Sequence, residues 1–241
     1  MAIAATAAGT ASATPIELTV TSGTGAGSSV LLPNVGGGSM VFYSNPDFNG
    51  WDIELAFGMS HSPSLTLGGL DLTTAAANCL SATCNPLTIA ISDIGYTTPV
   101  GPAGLTTSLS NTQLGFSSTV TQWAYADTSN TYFGSTDANA STDFDGTYDA
   151  TAALIGTVTV NGLGSASAHG GGSLTGPYSL TLVDQFCSNP AGSSGTCGGG
   201  LSFSADGGIE ASEPGALGLF AAALMGCALF VSRRRSSKLQ A

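Results

Sequence analysis

The chain has 241 residues and a formal net charge of −11, from 15 Asp or Glu against 4 Lys or Arg. All four basic residues lie between Arg233 and Lys238, so residues 1–232 hold no Lys or Arg and carry a formal charge of −15 with His neutral. Such a body repels phosphate backbones, which excludes ordinary nucleic-acid binding, and it offers no Arg or Lys to hold a phosphorylated substrate.

Residues 1–14 form a leader rich in Ala and Thr. The triplet Ala11-Ser12-Ala13 fits the small-residue cleavage site of a secretory signal peptide, but the basic start and the long apolar stretch of such a peptide do not precede it. We expect this leader to be the remnant of a signal peptide whose true start lies upstream, with a disordered Ala-rich segment as the alternative.

The body, residues 15–205, is dominated by apolar residues that alternate with polar ones. In the cleanest run, residues 51–59, five large apolar residues share one predicted face: Trp51, Ile53, Leu55, Phe57 and Met59. Alternation with a period of two is typical of strands with one buried face, and Gly runs such as 170–172 predict flexible turns between strands. We expect an all-β fold of about eight to ten strands, either an antiparallel β-sandwich or a jelly-roll-like body.

Four cysteines of the body fall into two close pairs, Cys79 with Cys84 and Cys187 with Cys197. Neither pair has a nearby His or further Cys at the spacing of a zinc site. Four cysteines allow three pairings, and the turn-forming residues within each pair favour two local disulfides in an exported domain. Four unpaired buried thiols are the alternative.

The densest group of carboxylates lies in residues 137–149. Oxygen-bearing side chains at alternate positions, followed by Gly146, are what a hard Ca²⁺ ion needs. The pattern lacks the Glu at the twelfth position of a helical calcium loop, where Ala152 stands, so a solvated acidic loop is the competing interpretation. The candidate calcium ligands are Asp137, Asn139, Asp143, Asp145 and Asp149. No other cofactor is indicated.

Aromatic residues are concentrated around the start of this acidic segment. Aromatic rings can stack on sugar rings while nearby Asp and Asn side chains hydrogen-bond to the sugar hydroxyls. The alternative is that these aromatic residues pack in the core. The residues concerned are Trp123, Tyr125, Tyr132, Phe133 and Tyr148.

Two patterns bear on catalysis. Asp52 and Glu54 share a predicted strand face about 6.5–7 Å apart, which resembles the carboxylate pair of a glycoside hydrolase but also fits simple solvent exposure. The segment that begins at His169 is similar to the oxyanion-hole segment of some esterases, yet the chain contains no Gly-x-Ser-x-Gly nucleophile turn. We therefore expect no catalytic residues.

The C-terminal region divides into three parts. Residues 206–214 are predicted to be an acidic linker. Residues 215–232 carry no charge, and as a helix they would be about 27 Å long, close to the hydrocarbon thickness of about 30 Å. The basic residues 233–241 follow, and the positive-inside rule keeps such a tail in the cytoplasm and places the acidic body across the membrane. The sequence thus predicts a single transmembrane helix after the body.

This order of a Glu-Pro pair, an apolar segment and an Arg cluster resembles the sorting tail of PEP-CTERM proteins, over about residues 212–241. Ser212 stands where the family usually has its first proline. The residues that match the family's pattern are Glu213, Pro214, Arg233, Arg234 and Arg235. The resemblance implies processing by an exosortase-type enzyme, anchoring in the inner membrane through the helix, and transfer to the cell surface or exopolysaccharide matrix. It implies nothing about the activity of the body.

The sequence therefore predicts an exported surface or matrix protein whose non-enzymatic β-rich body has a structural or adhesive role. The alternative is a lectin-like carbohydrate-binding module, in which Ca²⁺ would take part, and a glycoside-active enzyme ranks third. The expected partners are an exosortase-type processing enzyme, the membrane and exopolysaccharide, and nucleic acid is excluded.

Overall fold

The computed structural model of the protein describes residues 16–23, 29–33, 40–61, 69–97, 101–112, 119–134, 152–174, 176–187, 197–198 and 202–211. These residues belong to one compact unit that ends at Ala211. Within the described ranges, no helix is long and apolar enough to cross a membrane. The leader at 1–14, the predicted transmembrane helix at 215–232 and the basic tail at 233–241 lie outside them.

The described residues form fourteen β-strands and a 3-10 turn at Tyr132–Gly134. In chain order the strands are β1 (Glu17–Ser22), β2 (Ser29–Pro33), β3 (Met40–Phe48), β4 (Trp51–His61), β5 (Gly69–Cys79), β6 (Thr83–Cys84), β7 (Leu87–Tyr96), β8 (Gly101–Asn111), β9 (Thr119–Asp127), β10 (Ala152–Asn161), β11 (Gly164–Leu174), β12 (Tyr178–Phe186), β13 (Cys197–Gly198) and β14 (Ser202–Ala211).

The strands build two six-stranded sheets. Sheet A has the order β10-β9-β12-β7-β1-β2, and sheet B has the order β11-β8-β14-β5-β4-β3. The short strands β6 and β13 pair separately. The pairings within both sheets are antiparallel, and residues from both contribute to one apolar core. The prediction of an all-β antiparallel sandwich is confirmed for the body.

Aromatic rings from both sheets meet in the core. Phe203 of β14 packs against Phe186 of β12 with ring centroids 5.2 Å apart, and against Trp51 of β4 at 5.9 Å. All three side chains are fully buried, and full burial of a large apolar side chain stabilises the fold by about 1.5–3 kcal/mol. The aliphatic residues of the same core include Leu18, Val20, Leu70, Leu72, Ile89, Ile91, Leu180, Leu182 and Ile209.

The opposite face of sheet A is also buried. Trp123 and Tyr125 of β9 expose only 6% and 3% of their surfaces and form a second apolar cluster with Ala90 and Val183, against which Phe133 packs. The interpretation of Trp123 and Tyr125 as a sugar-stacking surface is therefore wrong, because neither ring is accessible to a ligand. Their packing explains the concentration of aromatic residues in this part of the sequence.

The alternation of β4 is interrupted halfway along the strand. Ile53 and Ala56 are buried, whereas Glu54 and Leu55 between them are both exposed. The prediction that residues 51–59 place all five apolar side chains on one buried face is therefore wrong, since Leu55 is 38% exposed.

This irregularity crosses sheet B. The register of β3 against β4 shifts between Tyr43 and Asn45, and that of β14 against β5 shifts between Phe203 and Ala205. Ala76 of β5 has a φ of 52°. A bulge adds one residue to a strand, so residues beyond it point to the opposite face. In β4 the buried positions therefore change from Trp51 and Ile53 before the bulge to Ala56 and Gly58 after it, and Phe57 and Met59 point outward.

Strand β14 extends further than the sequence suggests. Residues 206–211, expected to begin an acidic linker, pair with both β5 and β8 in the middle of sheet B. Here the inward positions are taken by Ala205, Gly207 and Ile209, all buried, while Asp206 and Glu210 point outward. The predicted linker is wrong over this part. Its inward residues are uncharged and its acidic residues point outward, so the segment can lie as a central strand.

Two disulfides join the predicted cysteine pairs. Cys79 bonds to Cys84 with a Cα–Cα distance of 5.9 Å, and Cys187 bonds to Cys197 with a Cα–Cα distance of 5.4 Å. Cys84 and Cys197 are also opposed in the ladder between β6 and β13, so the two disulfides are neighbours. The pairing is confirmed, and two structural disulfides indicate folding in an oxidising, exported environment.

Candidate functional site

The outer face of sheet B, which points away from sheet A, carries two rows of side chains. Opposed residues of antiparallel strands point to the same side of a sheet, so the strand pairings define each row. From β3 to β11 the first row contains Phe42, Phe57, Thr73, Asp206, Ser110 and Ser165. The second row contains Met40, Met59, Asp71, Gly208, Ser108 and Ser167.

The five strands from β4 to β11 form a groove along these two rows, with a volume of about 590 Å³. Phe57 and Met59 of β4 line its apolar end. The remainder is mostly hydroxyl and carboxyl groups, from Asp71, Thr73, Ser108, Ser110, Ser165, Ser167, Asp206 and Glu210. Because every strand in this part of the sheet contributes to it, the groove is built on rigid, paired backbone rather than on loops.

Asp206 lies in the middle of the groove. Thr73 Oγ1 donates a hydrogen bond to Asp206 Oδ1 at 2.7 Å, and Ser110 Oγ donates to the Asp206 carbonyl oxygen at 3.4 Å. A carboxylate has about four lone-pair sites on its two oxygens, so Asp206 keeps acceptor capacity after the bond from Thr73. The exposed carboxylate is thereby oriented, and it remains able to accept hydrogen bonds from a ligand.

The charged residues that line the groove are all acidic. Asp71, Asp206 and Glu210 all line it, and the sequence has no Lys or Arg before Arg233. Charges of the same sign repel one another more strongly where water is displaced. The groove therefore disfavours anionic ligands and is suited to ligands that donate hydrogen bonds or carry positive charge.

Two adjacent glycines of β14 shape the floor of the groove. A Cβ on Gly207 would point inward and lie 1.7 Å from Nε2 of Gln122, whereas a Cβ on Gly208 would point into the groove and lie 2.6 Å from Oδ1 of Asp71. Gly207 therefore makes room for a buried side chain beneath the floor, and Gly208 keeps the middle of the groove open.

A chain of three buried polar side chains lies beneath this floor, between the sheets. Thr107 Oγ1 donates to Gln122 Oε1 at 2.8 Å, and Gln122 Nε2 donates to Asp184 Oδ1 at 2.9 Å. The second carboxyl oxygen of Asp184 has no hydrogen-bond partner among the described residues. Burial raises the pKa of Asp184 to about 7, the bond from Gln122 opposes this rise, and the charge of Asp206 adds to it.

A third row lies at the margin of the groove and contains Glu210, Thr106 and His169. Oγ1 of Thr106 and Nδ1 of His169 are hydrogen-bonded at 2.8 Å. The glycines that follow His169 belong to β11, so the predicted turn at 170–172 is wrong. A Cβ on Gly170 would lie 1.7 Å from the carbonyl oxygen of Ile155 in β10, and the absence of side chains there allows the two sheets to approach at this edge.

The groove is not one of the sites that the sequence predicts. The calcium candidates Asp137, Asn139, Asp143, Asp145 and Asp149 lie outside the described residues, as do Tyr148 and the sorting residues from Glu213 to Arg235, and all of these stay predictions. Across the described part of the chain, no group of three or more His, Cys, Asp or Glu side chains is arranged to hold a metal ion. Asp52 is half-buried, Glu54 is exposed, and neither lines the groove.

The groove residues come from five strands that are far apart in the chain, which is why sequence reasoning missed them. Asp71 on β5 and Asp206 on β14 are 135 positions apart, and they become neighbours only through the strand order of sheet B. The available signal was the outward polar residue at every second position of each strand. That signal identifies a solvent face but not which strands lie side by side.

No family model and no curated protein matches the chain. Among solved structures, TmCBM61 in complex with beta-1,4-galactotriose aligns with a TM-score of 0.28 and 8% identity over 70% of this chain and 86% of its own. The CBM22-1–GH10 modules of a Clostridium thermocellum endo-1,4-beta-D-xylanase 10B, complexed with xylohexaose, align with a TM-score of 0.29 and 10% identity over 70% of this chain and 27% of that one. The infectious bursal disease virus Gx strain structure gives a TM-score of 0.32 and 9% identity over 88% of this chain and 54% of that one. These likenesses are too weak to carry an argument about this chain.

Proposed function

We propose that the body is a non-enzymatic carbohydrate-binding module and that the groove on sheet B holds the glycan. The observation that carries this proposal is the combination of hydroxyl and carboxyl groups with Phe57 in one groove. Sugar hydroxyls exchange hydrogen bonds with Ser, Thr and Asp side chains, while the apolar face of a sugar ring packs against an aromatic ring. This lining therefore fits a ligand in which every sugar unit has both hydroxyl groups and an apolar ring face.

The charge of the groove narrows the class of glycan. Asp71, Asp206 and Glu210 would repel a polymer of uronic acids or sulfated sugars, and the sequence provides no basic residue in the body to offset them. A neutral polysaccharide, or one that carries free amino groups, meets no such repulsion. The ligand is accordingly a neutral or amino-bearing glycan.

The tail supplies the location at which this binding takes place. Glu213, Pro214 and the arginines at 233–235 resemble the sorting signal that exosortase-type enzymes process, and residues 215–232 are long enough to anchor the protein in the inner membrane as a helix. Export through this route delivers the disulfide-bonded body to the cell surface or the exopolysaccharide matrix. The proposed role is adhesion between the cell surface and matrix glycans.

A binding panel tests the glycan proposal. We expect at least one member of a set of cello-, xylo-, β-1,4-galacto-, chitin and chitosan saccharides to bind the full chain in calorimetry, and oligogalacturonate not to bind. Asp206→Asn should weaken binding about tenfold or more, since a hydrogen bond to a charged group contributes about 1.5–3 kcal/mol.

The matched control for this panel is Asp47→Asn, because Asp47 is an exposed carboxylate of β3 that does not line the groove. Its affinity should equal that of the natural sequence. Equal losses in both variants, or no binding by any saccharide of the panel, would show that the groove is not a glycan site.

The sorting proposal has its own test. Fractionation of cells followed by mass spectrometry of the C-terminus should find the body in the envelope or matrix, with the residues beyond Pro214 removed from the released form. Full-length chain in the cytosol with free thiols at Cys79 and Cys187 would refute export by this route.

A further inference from the structure

The two rows of the outer face do not stop at the groove. Strand β3 adds Phe42 to the first row, opposite Phe57, and Met40 to the second row, opposite Met59. Phe42 is 72% exposed and Met40 is 56% exposed. Four large apolar side chains thus form a patch at the β3 edge of sheet B, directly beside the polar part of the groove.

This surface is longer across the strands than along them. Neighbouring strands lie about 4.8 Å apart, so six strands span about 24 Å, whereas two rows on one face are separated by only about 7 Å along the strands. The long axis therefore runs across the strands, from β3 to β11. A ligand that follows this axis passes first over apolar side chains and then over hydroxyl and carboxyl groups.

Contiguous exposed apolar patches mark interaction surfaces, whereas single exposed apolar residues are common on any protein surface. Here the patch is continuous with the groove along both rows, because Phe57 and Met59 belong to both. One ligand that covers the groove and extends past β4 must therefore lie over Phe42. A linear glycan suits this course, because each of its rings has an apolar face and a polar edge.

Resting on the proposed glycan-binding function, we infer that the ligand is an internal segment of a linear polysaccharide that lies across all six strands of sheet B, with Phe42 as a stacking residue beyond the groove. The binding surface is then a strip that is open at both ends, and it takes a stretch of chain rather than a chain terminus. Phe42 decides how long that stretch must be for full affinity.

A length series measures this directly. Oligosaccharides of the tightest binder in the panel, lengthened by one ring at a time, are titrated against the full chain. Affinity should rise until the oligosaccharide reaches from β11 to β3 and then level off, and blocking the reducing end should leave the affinity of long oligomers unchanged. An affinity that is already maximal for the shortest binding oligomer, or that is lost on end-blocking, would overturn the inference.

The Phe42→Ala variant tests the part of the strip beyond the groove independently of the groove itself. It should weaken the longest oligomers about tenfold, as expected for loss of an aromatic contact, and should leave unchanged the short oligomers that fill only the polar part. The matched control is Leu154→Ala, which removes a side chain that is 52% exposed on β10 of the other sheet. Gly208→Val, which adds a side chain to the middle of the groove, should weaken long and short oligomers alike.

The outcomes distinguish binding in the groove from binding along the whole strip. If Asp206→Asn weakens binding while Phe42→Ala affects no oligomer, the groove binds glycan and the strip is wrong. If no saccharide of the panel binds, the proposed function itself fails. If Phe42→Ala instead converts a dimer to a monomer in sedimentation without a change in affinity, the patch is a contact between copies of the chain, which also overturns the inference.

Discussion

The carboxyl group of Asp184 couples the stability of the sandwich to pH. Its pKa is raised from 3.8 to about 7 by burial, so the folded protein holds this proton more tightly than the unfolded chain does. The stabilisation is complete below about pH 4 and is lost as the pH rises through about 7. Over the whole of that range the free energy of unfolding should fall by an amount on the order of 4 kcal/mol. Urea unfolding at pH 5 and pH 8 should measure about 3 kcal/mol of this fall, because the first pH unit of the range lies below pH 5.

The control for this effect is Asp184→Asn, which keeps an oxygen to accept the hydrogen bond from Gln122 and cannot ionise. The variant should be more stable than the natural sequence at pH 8, and the difference between its two urea midpoints should be much smaller. Equal midpoints at pH 5 and pH 8 for the natural sequence would show that Asp184 is ionised in the folded state without cost.

The adjacent glycines of β14 form a second test at this scale. Gly207→Ala places a methyl group where Gln122 packs, 1.7 Å from Nε2, and overpacking of a buried site costs about 1–3 kcal/mol. Gly208→Ala places a methyl group 2.6 Å from Oδ1 at the far end of the Asp71 side chain and 3.6 Å from the carbonyl oxygen of Leu70, and a carboxyl group at the groove surface can shift more easily than the fully buried Gln122. Thermal unfolding should therefore show a clear loss for the first variant and a much smaller one for the second, and the reverse order would contradict the assignment of inward and outward faces.

At the scale of elements, the two disulfides close loops of different length. In the chain-entropy account, a cross-link with a sequence separation of 10 contributes about 3 kcal/mol and one with a separation of 5 about 2 kcal/mol. The Cys187→Ser/Cys197→Ser double variant should thus lose more stability in denaturant than the Cys79→Ser/Cys84→Ser variant. The opposite order would mean that packing around Cys79 and Cys84 outweighs loop closure.

Strand β4 shows where element-level reasoning stops. The existence and type of the strand follow from the alternation in residues 51–59, and the structure confirms both. The alternation continues unbroken in the sequence, yet Glu54 and Leu55 both point outward. The bulge depends on register shifts in the neighbouring strands, so no local pattern within β4 reveals it, and it is this bulge that delivers Phe57 and Met59 to the groove.

At the scale of the whole molecule, the distribution of basic residues predicts where trypsin cleaves both the folded and the unfolded chain. Residues 1–232 contain no Lys or Arg, so trypsin should cleave only after Arg233 and the basic residues that follow it, even after reduction and unfolding in urea. Chymotrypsin, which cleaves after aromatic residues, should digest the same unfolded sample and serves as the control. Tryptic cleavage within residues 1–232, detected by mass spectrometry, would contradict this prediction.

Alternation and loop length are properties of short stretches of chain, and they were enough to predict the strand-rich body, its antiparallel class and the two local disulfides. The three-dimensional fold was needed to show which strands lie side by side. It brings Asp71, Asp206 and Ser110 into one groove and buries Trp123 and Tyr125 on sheet A. Strand order is set by the packing of both sheets at once, and the free energy of that packing is not encoded in any single segment.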